Sequence, residues 1–198
     1  MLFFLRRGAI ALALCCCSFL LAGQYDLPAD KLAAIPVAKL PAQDNQALLN
    51  AELKARTPGR ADRFAVPIPT KIRPTTHGSW TEAGGISTWR TRISSPGAKT
   101  LNLGFSEYNL PEGAALYIVT EEERLGPFTP ADNEDHNQLW TPLVDGDELM
   151  LELEVPTSRK KEVQLYLTSV NHDFVNVHKS LSGACNLDVV CSQADGWG

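Results

Sequence analysis

The sequence has few cysteines and no common nucleotide-binding motif. Its 198 residues contain five cysteines, and three of them are consecutive at Cys15–Cys17. Glycine-rich phosphate loops, heptad runs and internal repeats are absent, which argues against P-loop, Rossmann and coiled-coil proteins. Cys185 and Cys191 lack the Cys-x-x-Cys spacing of zinc and redox sites. We therefore expect neither a metal nor a cofactor.

Positive charge is the scarcer sign, with 18 lysines and arginines against 23 acidic residues and a net charge of −5. Cations outnumber acids between Lys31 and Arg73. Acids dominate between Phe105 and Glu154, where Arg124 is the only cation. The overall acidity argues against nucleic acid as a partner. The asymmetry predicts that the basic arm attracts either the acidic part or a charged partner.

The first 23 residues are typical of an export signal. Arg6 and Arg7 precede an uncharged run from Gly8 to Leu21, and the small residues Ala22 and Gly23 follow at a position suited to cleavage. The run is short for a membrane span. We therefore expect a secreted or periplasmic protein whose only membrane contact is its signal peptide (residues 1–23), with an N-terminal anchor as the alternative.

Residues 24–62 are predicted to form an extended and helical connector. Three prolines before residue 42 favour an extended chain over a packed element. The stretch Asp44–Arg56 is predicted to be the one helix, capped by Asp44 and ended by a Thr-Pro-Gly turn. Its narrow apolar stripe, which includes Leu48, Leu49 and Leu53, predicts docking on one surface.

Residues 63–179 are predicted to form an antiparallel β-sandwich of jelly-roll type, because short predicted strands alternate with segments whose sequences are typical of turns. Pro67 and Pro69 make the first strand an edge strand. A Gly-Gly turn between Trp80 and Trp89 predicts a hairpin. The predicted strands are Phe64–Ile72, the two arms of the hairpin Gly78–Ile93, Thr100–Phe105, Ala114–Thr120, Gln138–Val144, Asp147–Val155 and Glu162–Ser169.

One of these strands predicts its own orientation. Leu149, Leu151 and Leu153 alternate with glutamates such as Glu152. Because side chains on a strand alternate between its faces, this pattern predicts one buried face and one solvated face.

The tail carries the most specific motif. Its run Ser182-Gly-Ala-Cys185-Asn-Leu-Asp-Val-Val-Cys191 resembles the mature N-terminus of lysyl endopeptidases, which are secreted bacterial serine proteases of the chymotrypsin fold. In that family the run opens the protease domain just after a pro-region. The middle of the chain, around Trp140, is more loosely similar to such pro-regions. The resemblance implies that residues 180–198 are the truncated start of a protease domain.

The resemblance also implies how the chain works. The bond Lys179–Ser180 would be the processing site, in a family that cleaves after lysine; a solvated linker lysine is the other interpretation. The pro-domain would bind the protease domain of the same precursor, as inhibitor or folding assistant, and would otherwise be a monomer. Neither the family's Thr-Ala-Ala-His-Cys setting nor its Gly-Asp-Ser-Gly-Gly run is present, so this chain should be inactive alone.

The two tail cysteines leave two pairings open. Cys185 and Cys191 are expected to form disulfides in an oxidising compartment. They pair with each other if the intervening strand bends. The resemblance instead implies that each pairs with a cysteine farther along the protease domain.

A second hypothesis is a freestanding secreted β-sandwich that binds carbohydrate or a cell-surface partner. Trp80, Trp89 and Trp140 would then form a sugar platform, although burial in the core is the commoner fate of tryptophan. Around His136, the acids Asp132, Glu134 and Asp135 allow calcium binding in principle. Turn formation explains that cluster more simply.

Overall fold

The computed structural model describes residues 29–177. Its α-helices are α1 (Ala29–Ala33) and α2 (Asn45–Ala55), and short 3-10 helices lie at Pro130–Asp132 and Thr157–Glu162. Its strands are β1 (Val37–Lys39), β2 (Ala65–Ile72), β3 (Ser79–Ala83), β4 (Ile86–Ser94), β5 (Thr100–Asn109), β6 (Ala115–Val119), β7 (Arg124–Phe128), β8 (Leu139–Trp140), β9 (Val144–Asp145), β10 (Glu148–Pro156) and β11 (Gln164–Asp173).

The strands form two sheets, which confirms the predicted β-sandwich. Sheet A has six strands in the order β1-β4-β10-β6-β7, with β3 also paired to β4. Sheet B has five strands in the order β2-β11-β5-β8, with β9 also paired to β5. Among the described strands, every pairing is antiparallel except that of β1 with β4.

A single apolar core fills the space between the sheets. It joins Trp89 and Leu151 of sheet A to Leu103, Phe105 and Val170 of sheet B, all at most 1% exposed. Burying side chains of this size stabilises the fold by about 1.5–3 kcal/mol each relative to exposure. The core is therefore built from non-local contacts between strands distant in sequence.

The predicted tryptophan hairpin is present. Trp80 of β3 lies opposite Trp89 of β4, and the turn between the strands holds Gly84 and Gly85 at φ values of 58° and 82°. A type I′ turn needs two successive residues in the left-handed backbone conformation, and glycine adopts this conformation without strain. The predicted hairpin is thus confirmed, and the structure adds its register.

The edge position of the first predicted strand is also confirmed. Within residues 29–177, β2 pairs only with β11 in sheet B. Pro67 and Pro69 cannot donate backbone hydrogen bonds, so an edge is where the strand tolerates them.

The prediction of one buried and one solvated face on β10 was wrong at the centre of its outer face. Leu149, Leu151 and Leu153 face the core, but Met150 and Glu152 on the other face are buried as well. Met150 is covered by Ile35, and Glu152 is covered by arginines of neighbouring strands. The outer face of this strand is therefore a second, smaller interior.

The described part of the predicted connector differs from the expectation of an unpacked chain. Strand β1 pairs in parallel with β4, and Ile35 is buried against sheet A. Helix α2 does form, with Asp44 as its N-cap, yet its buried residue is Glu52 rather than a leucine of the stripe. Leu53 is 51% exposed, whereas Leu48 and Leu49 are half-buried, so the predicted apolar stripe is covered only in part.

Two further elements differ from prediction. The predicted strand 138–144 is split into β8 and β9, with Pro142 between them, because proline cannot continue a hydrogen-bonded ladder. Strand β7 was not predicted, since its glycine and proline obscure its alternation. Over residues 29–177 no helix has the length and apolar character needed to cross a membrane.

Candidate interaction surfaces and the chain exit

The chain leaves the sandwich at the end of β11. Asp173 is the last residue of that strand, and Val177, the last described residue, precedes the predicted cleavage position Lys179 by two. Phe174 is buried and its N–H donates to the carbonyl of Phe64 at 3.0 Å. The exit is therefore anchored to the start of β2.

The carboxylate of Asp173 organises the exit into a closed turn, which we call the exit clasp (residues 173–177). Its two oxygens accept the backbone N–H groups of Val175 at 2.7 Å, Asn176 at 2.9 Å and Val177 at 3.0 Å. The Thr100 hydroxyl donates to the same carboxylate at 3.0 Å. Because Asp173 is fully buried, these four donors replace the water that the charge has lost. Loss of the carboxylate would remove the acceptor that these four donors share.

The neighbouring side chain, His172, is buried and ties three segments together. The Asn45 amide nitrogen donates to the carbonyl of Gly97 at 2.7 Å, so the Asn45 oxygen faces His172 Nε2 at 2.8 Å. Nε2 must then carry the proton, and Nδ1 accepts from the Ser95 hydroxyl at 2.8 Å. This network joins the start of α2 to the β4–β5 turn and the end of β11.

Burial lowers the pKa of His172 below its ordinary value. The carboxylates of Asp173 and Asp147 oppose that shift, whereas Lys99 adds to it. The imidazole is therefore neutral near pH 7, in agreement with the single proton that its two hydrogen bonds require.

The serine, histidine and asparagine of this network resemble a nucleophile, a base and an orienting group. Ser95 and His172 are both fully buried, however. No peptide substrate can reach the Ser95 oxygen, so the arrangement is a structural one.

The outer face of sheet A is held by ion pairs. Glu152, buried at the centre, accepts from Arg90 Nε at 2.6 Å and from Arg124 at 2.7 Å. Arg92 pairs with Glu148 on the same face, and the Arg124 guanidinium lies 3.4 Å from the centre of the Tyr117 ring. These charged side chains on the outer face of sheet A therefore form ion pairs with one another.

Some arginines of the basic arm also form ion pairs. Glu52 accepts from Arg60 at 2.7 Å and from the backbone N–H of Arg63 at 2.9 Å. The hydrogen bond from Arg60 is the main cause of the lowered pKa of Glu52. Arg56 pairs with Asp62. Attraction between the arm and an outside partner is weakened because these cations already have acidic neighbours.

The outer face of sheet B, which we call the Trp140 face, is different. Trp140 is 57% exposed and lies opposite Gly104 of β5. A Cβ at Gly104 would come within 2.5 Å of the indole, so only glycine lets the ring lie on the strand. Asn102 and Asn171 lie opposite each other on the neighbouring row and share a hydrogen bond of 2.6 Å.

The three tryptophans singled out from the sequence do not share a surface. Trp89 is in the core and donates to the His77 carbonyl, and Trp80 is partly buried next to it. Only Trp140 is widely exposed, and it belongs to the other sheet. The arrangement gives no platform of three rings.

The acidic loop around His136 forms local turn contacts. The Asp132 carboxylate accepts from the Thr129 N–H at 2.6 Å, and His136 Nδ1 accepts from the Gln138 N–H at 3.1 Å. In the described chain, 29–177, no three histidine, cysteine or carboxylate side chains are grouped to hold a metal ion.

The remaining predicted site residues lie outside the described residues. These are the signal-cleavage residues Ala22 and Gly23, the processing pair Lys179 and Ser180, and the tail cysteines Cys185 and Cys191. Sequence reasoning missed both buried networks around Glu152 and His172, and it also missed the exit clasp.

Comparison with known families decides the kinship of the chain. A family model described as the lysyl endopeptidase N-terminal domain matches residues 38–174. The chain belongs to this family. The matched range begins in β1 and ends at Phe174, so the lysyl endopeptidase N-terminal domain coincides with the sandwich and stops inside the exit clasp. A search of solved structures found no match.

Proposed function

We propose that this lysyl endopeptidase N-terminal domain is the pro-domain of a secreted serine endopeptidase precursor, and that it acts by binding the protease domain. The observation that carries the proposal is the position of the family match. It ends at Phe174, five residues before Lys179 and eleven before the tail cysteine Cys185. Sandwich and tail are thus adjacent in the order expected of a pro-region followed by a protease.

Binding would serve the protease in one of two ways. The sandwich would either cover the active-site cleft or assist folding of the protease barrel, whose non-local strand pairings make folding slow. Cleavage of Lys179–Ser180 would separate the two parts. The tail cysteines would then pair with cysteines of the protease domain.

The test supplies the pro-domain in trans. Residues 24–179 are added to mature lysyl endopeptidase, and initial rates on a lysyl amide substrate are measured together with recovery of activity after denaturation. We expect slower hydrolysis or a higher refolding yield. The same segment with the core substitution Leu151→Asp, which prevents folding of the sandwich, is the control. If the folded domain has neither effect, the binding role is refuted.

Export is part of the same proposal. A secreted precursor loses residues 1–23, so the exported chain should begin after Ala22 or Gly23. The intact mass of the protein recovered from the periplasm or medium measures this. A chain that retains Arg6 and Arg7 after export would contradict the signal peptide.

A further inference from the structure

The Trp140 face is exposed to solvent at both edge strands of sheet B, β2 and β8, and half-buried between them. Pro67, Pro69 and Trp140 on it are exposed, and Asn102 and Asn171 are half-buried. The outer face of sheet A, in contrast, is covered by Ile35 and crossed by ion pairs. Of the two broad faces of the sandwich, sheet B offers the one with an accessible aromatic surface.

Trp140 is held in place before any partner arrives. One side of its indole lies on Gly104, where a Cβ would come within 2.5–3.0 Å of three ring atoms. The opposite side is open, and the residue is 57% exposed. A large apolar ring that is already immobilised loses little conformational entropy on binding. Such a ring is typical of the central contact of a protein interface.

A second group of interface-type residues lies farther along the same sheet. The Arg73 guanidinium lies 3.5 Å from the centre of the Tyr166 ring and forms two hydrogen bonds, of 2.8 and 2.7 Å, with Glu107. Tyr166 lies opposite Glu107 in the register of β11 and β5. Tryptophan, tyrosine and arginine are the residues most enriched among those that dominate protein binding energies.

The polar groups beside Trp140 favour a protein partner over a sugar. The Asn102 amide nitrogen donates to the carbonyl of Thr141, and its oxygen accepts from Asn171. The Asn171 oxygen accepts from the Ser169 hydroxyl. Sugar recognition needs side-chain donors and acceptors directed at hydroxyl groups, whereas these amides are directed at one another. The face is suited to a contact dominated by apolar area.

The Trp140 face also lies close to the chain exit. Asp173 is level with Thr100, to which it is hydrogen bonded, and Trp140 is level with Gly104. Trp140 is therefore four residues along the strand direction and two strands across the sheet from Asp173. At ~3.3 Å per residue and ~4.8 Å per strand, the distance between them is about 16 Å. A domain attached after the clasp would therefore begin within reach of this face.

We propose that the Trp140 face is the surface through which this domain contacts the protease domain, with Trp140 as the central contact and Arg73 and Tyr166 at its border. The inference rests on the proposed function, because it names the surface by which that binding occurs. A carbohydrate and a second copy of the chain are the other possible occupants.

Binding is measured with the exported chain, residues 24–198, and a lysyl endopeptidase inactivated at its nucleophilic serine. Trp140→Ala should weaken the complex at least tenfold, and Trp140→Phe should weaken it less, because an aromatic ring remains over Gly104. Ile86→Ala, at an exposed position on sheet A, is the matched control and should change affinity less than twofold.

Photo-crosslinking provides the readout that does not depend on the stability of an alanine variant. Replacement of Trp140 by p-benzoylphenylalanine should yield a covalent adduct with the inactive protease, and the same replacement at Ile86 should not. Equal affinity for the Trp140→Ala chain, or crosslinking only from position 86, would overturn the inference.

The same variants identify the other occupants. Carbohydrate binding lost in Trp140→Ala, with protease binding unchanged, would assign the face to a glycan. A dimer in sedimentation that Trp140→Ala dissociates, again with protease binding unchanged, would assign it to a second copy. Both results overturn the inference. If the unsubstituted chain does not bind the protease at all, the proposed function fails instead.

Discussion

At the scale of single residues, the buried carboxylate of Glu152 is the least expected feature of the sandwich. Its partners come from two different strands, Arg90 of β4 and Arg124 of β7. A buried ion pair is weak evidence for stability in itself, but removal of one partner leaves charge without compensation. Substitution of Glu152 should therefore lower the stability of the fold more than substitution of the more exposed glutamates on the same strand.

Glu152→Gln should lower the free energy of unfolding by about 3 kcal/mol, at the low end of the range for breaking a buried pair, because both arginines keep some contact with water. Urea denaturation measures the change. Glu154→Gln on the same strand is the control, since the Glu154 side chain is 41% exposed and should contribute less than about 1 kcal/mol. Equal losses in both variants would contradict the buried network.

His172 predicts a pH dependence of stability. Because its pKa is lowered in the folded state, the unfolded chain binds more protons just below the ordinary pKa of about 6.5. Its contribution to stability is therefore complete above pH 6.5 and is lost as the pH falls towards the lowered folded pKa. Glutamates with lowered pKa values lose their contribution in a more acidic range, below about pH 4.5.

Measurement of unfolding free energies between pH 7.5 and 5.5 separates the contribution of His172 from that of the glutamates. The unsubstituted chain should lose on the order of 1 kcal/mol over this range, and His172→Gln should lose clearly less. His136→Gln, at an exposed position, should keep the slope of the unsubstituted chain. If the free energy of unfolding depends on pH in the same way in His172→Gln and in the unsubstituted chain, a buried neutral His172 is refuted.

Residue patterns predicted the inward leucines of β10 and the burial of Trp89, but not the buried glutamates. Alternation shows which residues share a face of one strand. It does not show that arginines 62 and 28 residues away arrive beside Glu152, which depends on the strand order of the whole sheet. Glu52 and His172 were missed for the same reason.

At the scale of elements, the exit clasp controls the segment before the predicted cut. Asn176 has a φ of 70°, and the N–H groups of residues 175–177 are directed at Asp173. Proteases bind their substrates in an extended conformation, and the clasp holds the third and fourth residues before the cut out of that conformation. Opening of the clasp should therefore precede efficient cleavage after Lys179.

Asp173→Ala should speed cleavage of Lys179–Ser180 by added lysyl endopeptidase at least tenfold, since it removes the three hydrogen bonds that close the clasp, each worth about 0.5–1.5 kcal/mol. N-terminal sequencing and intact mass follow the product that begins at Ser180. Asp147→Ala removes one hydrogen bond, to Gly97, at the same end of the sandwich and should change the rate little. Unchanged cleavage in the Asp173→Ala chain would refute control by the clasp.

The pairing of Trp140 with Gly104 also belongs to this scale. Gly104→Ala should displace the indole and lower the free energy of unfolding by about 1–3 kcal/mol, the range for insertion of a methyl group into a packed site. Gly84→Ala is not an equivalent control, because Gly84 has a positive φ. The Gly104→Ala change in a Trp140→Ala background should be smaller, and a double-mutant cycle measures the difference. Strict additivity would contradict the contact.

Elements with strong local chemistry were predictable, and elements without it were not. The Gly-Gly hairpin and the proline-bearing edge strand follow from backbone preferences of a few residues. Strand β1 is three residues long and is stabilised by its parallel pairing with β4, so nothing within its own sequence indicates it. The Trp140 face was equally hidden, because it requires the register of three strands.

At the scale of the whole molecule, the β-sandwich fold and the family of the chain were predicted from different features of the sequence. Strand spacing predicted the fold, whereas a tail motif outside the described residues predicted the family that the match over residues 38–174 then established. The charges between β4, β7 and β10 are satisfied within the fold. Within residues 29–177, the Trp140 face beside the chain exit is the surface that we propose for a partner.

Sedimentation velocity tests most directly whether this domain binds a protease domain, as we propose. The exported chain is mixed with a lysyl endopeptidase inactivated at its nucleophilic serine, over a range of concentrations. We expect a single complex of one chain with one enzyme that sediments faster than either component. Two independent boundaries at all concentrations would contradict it.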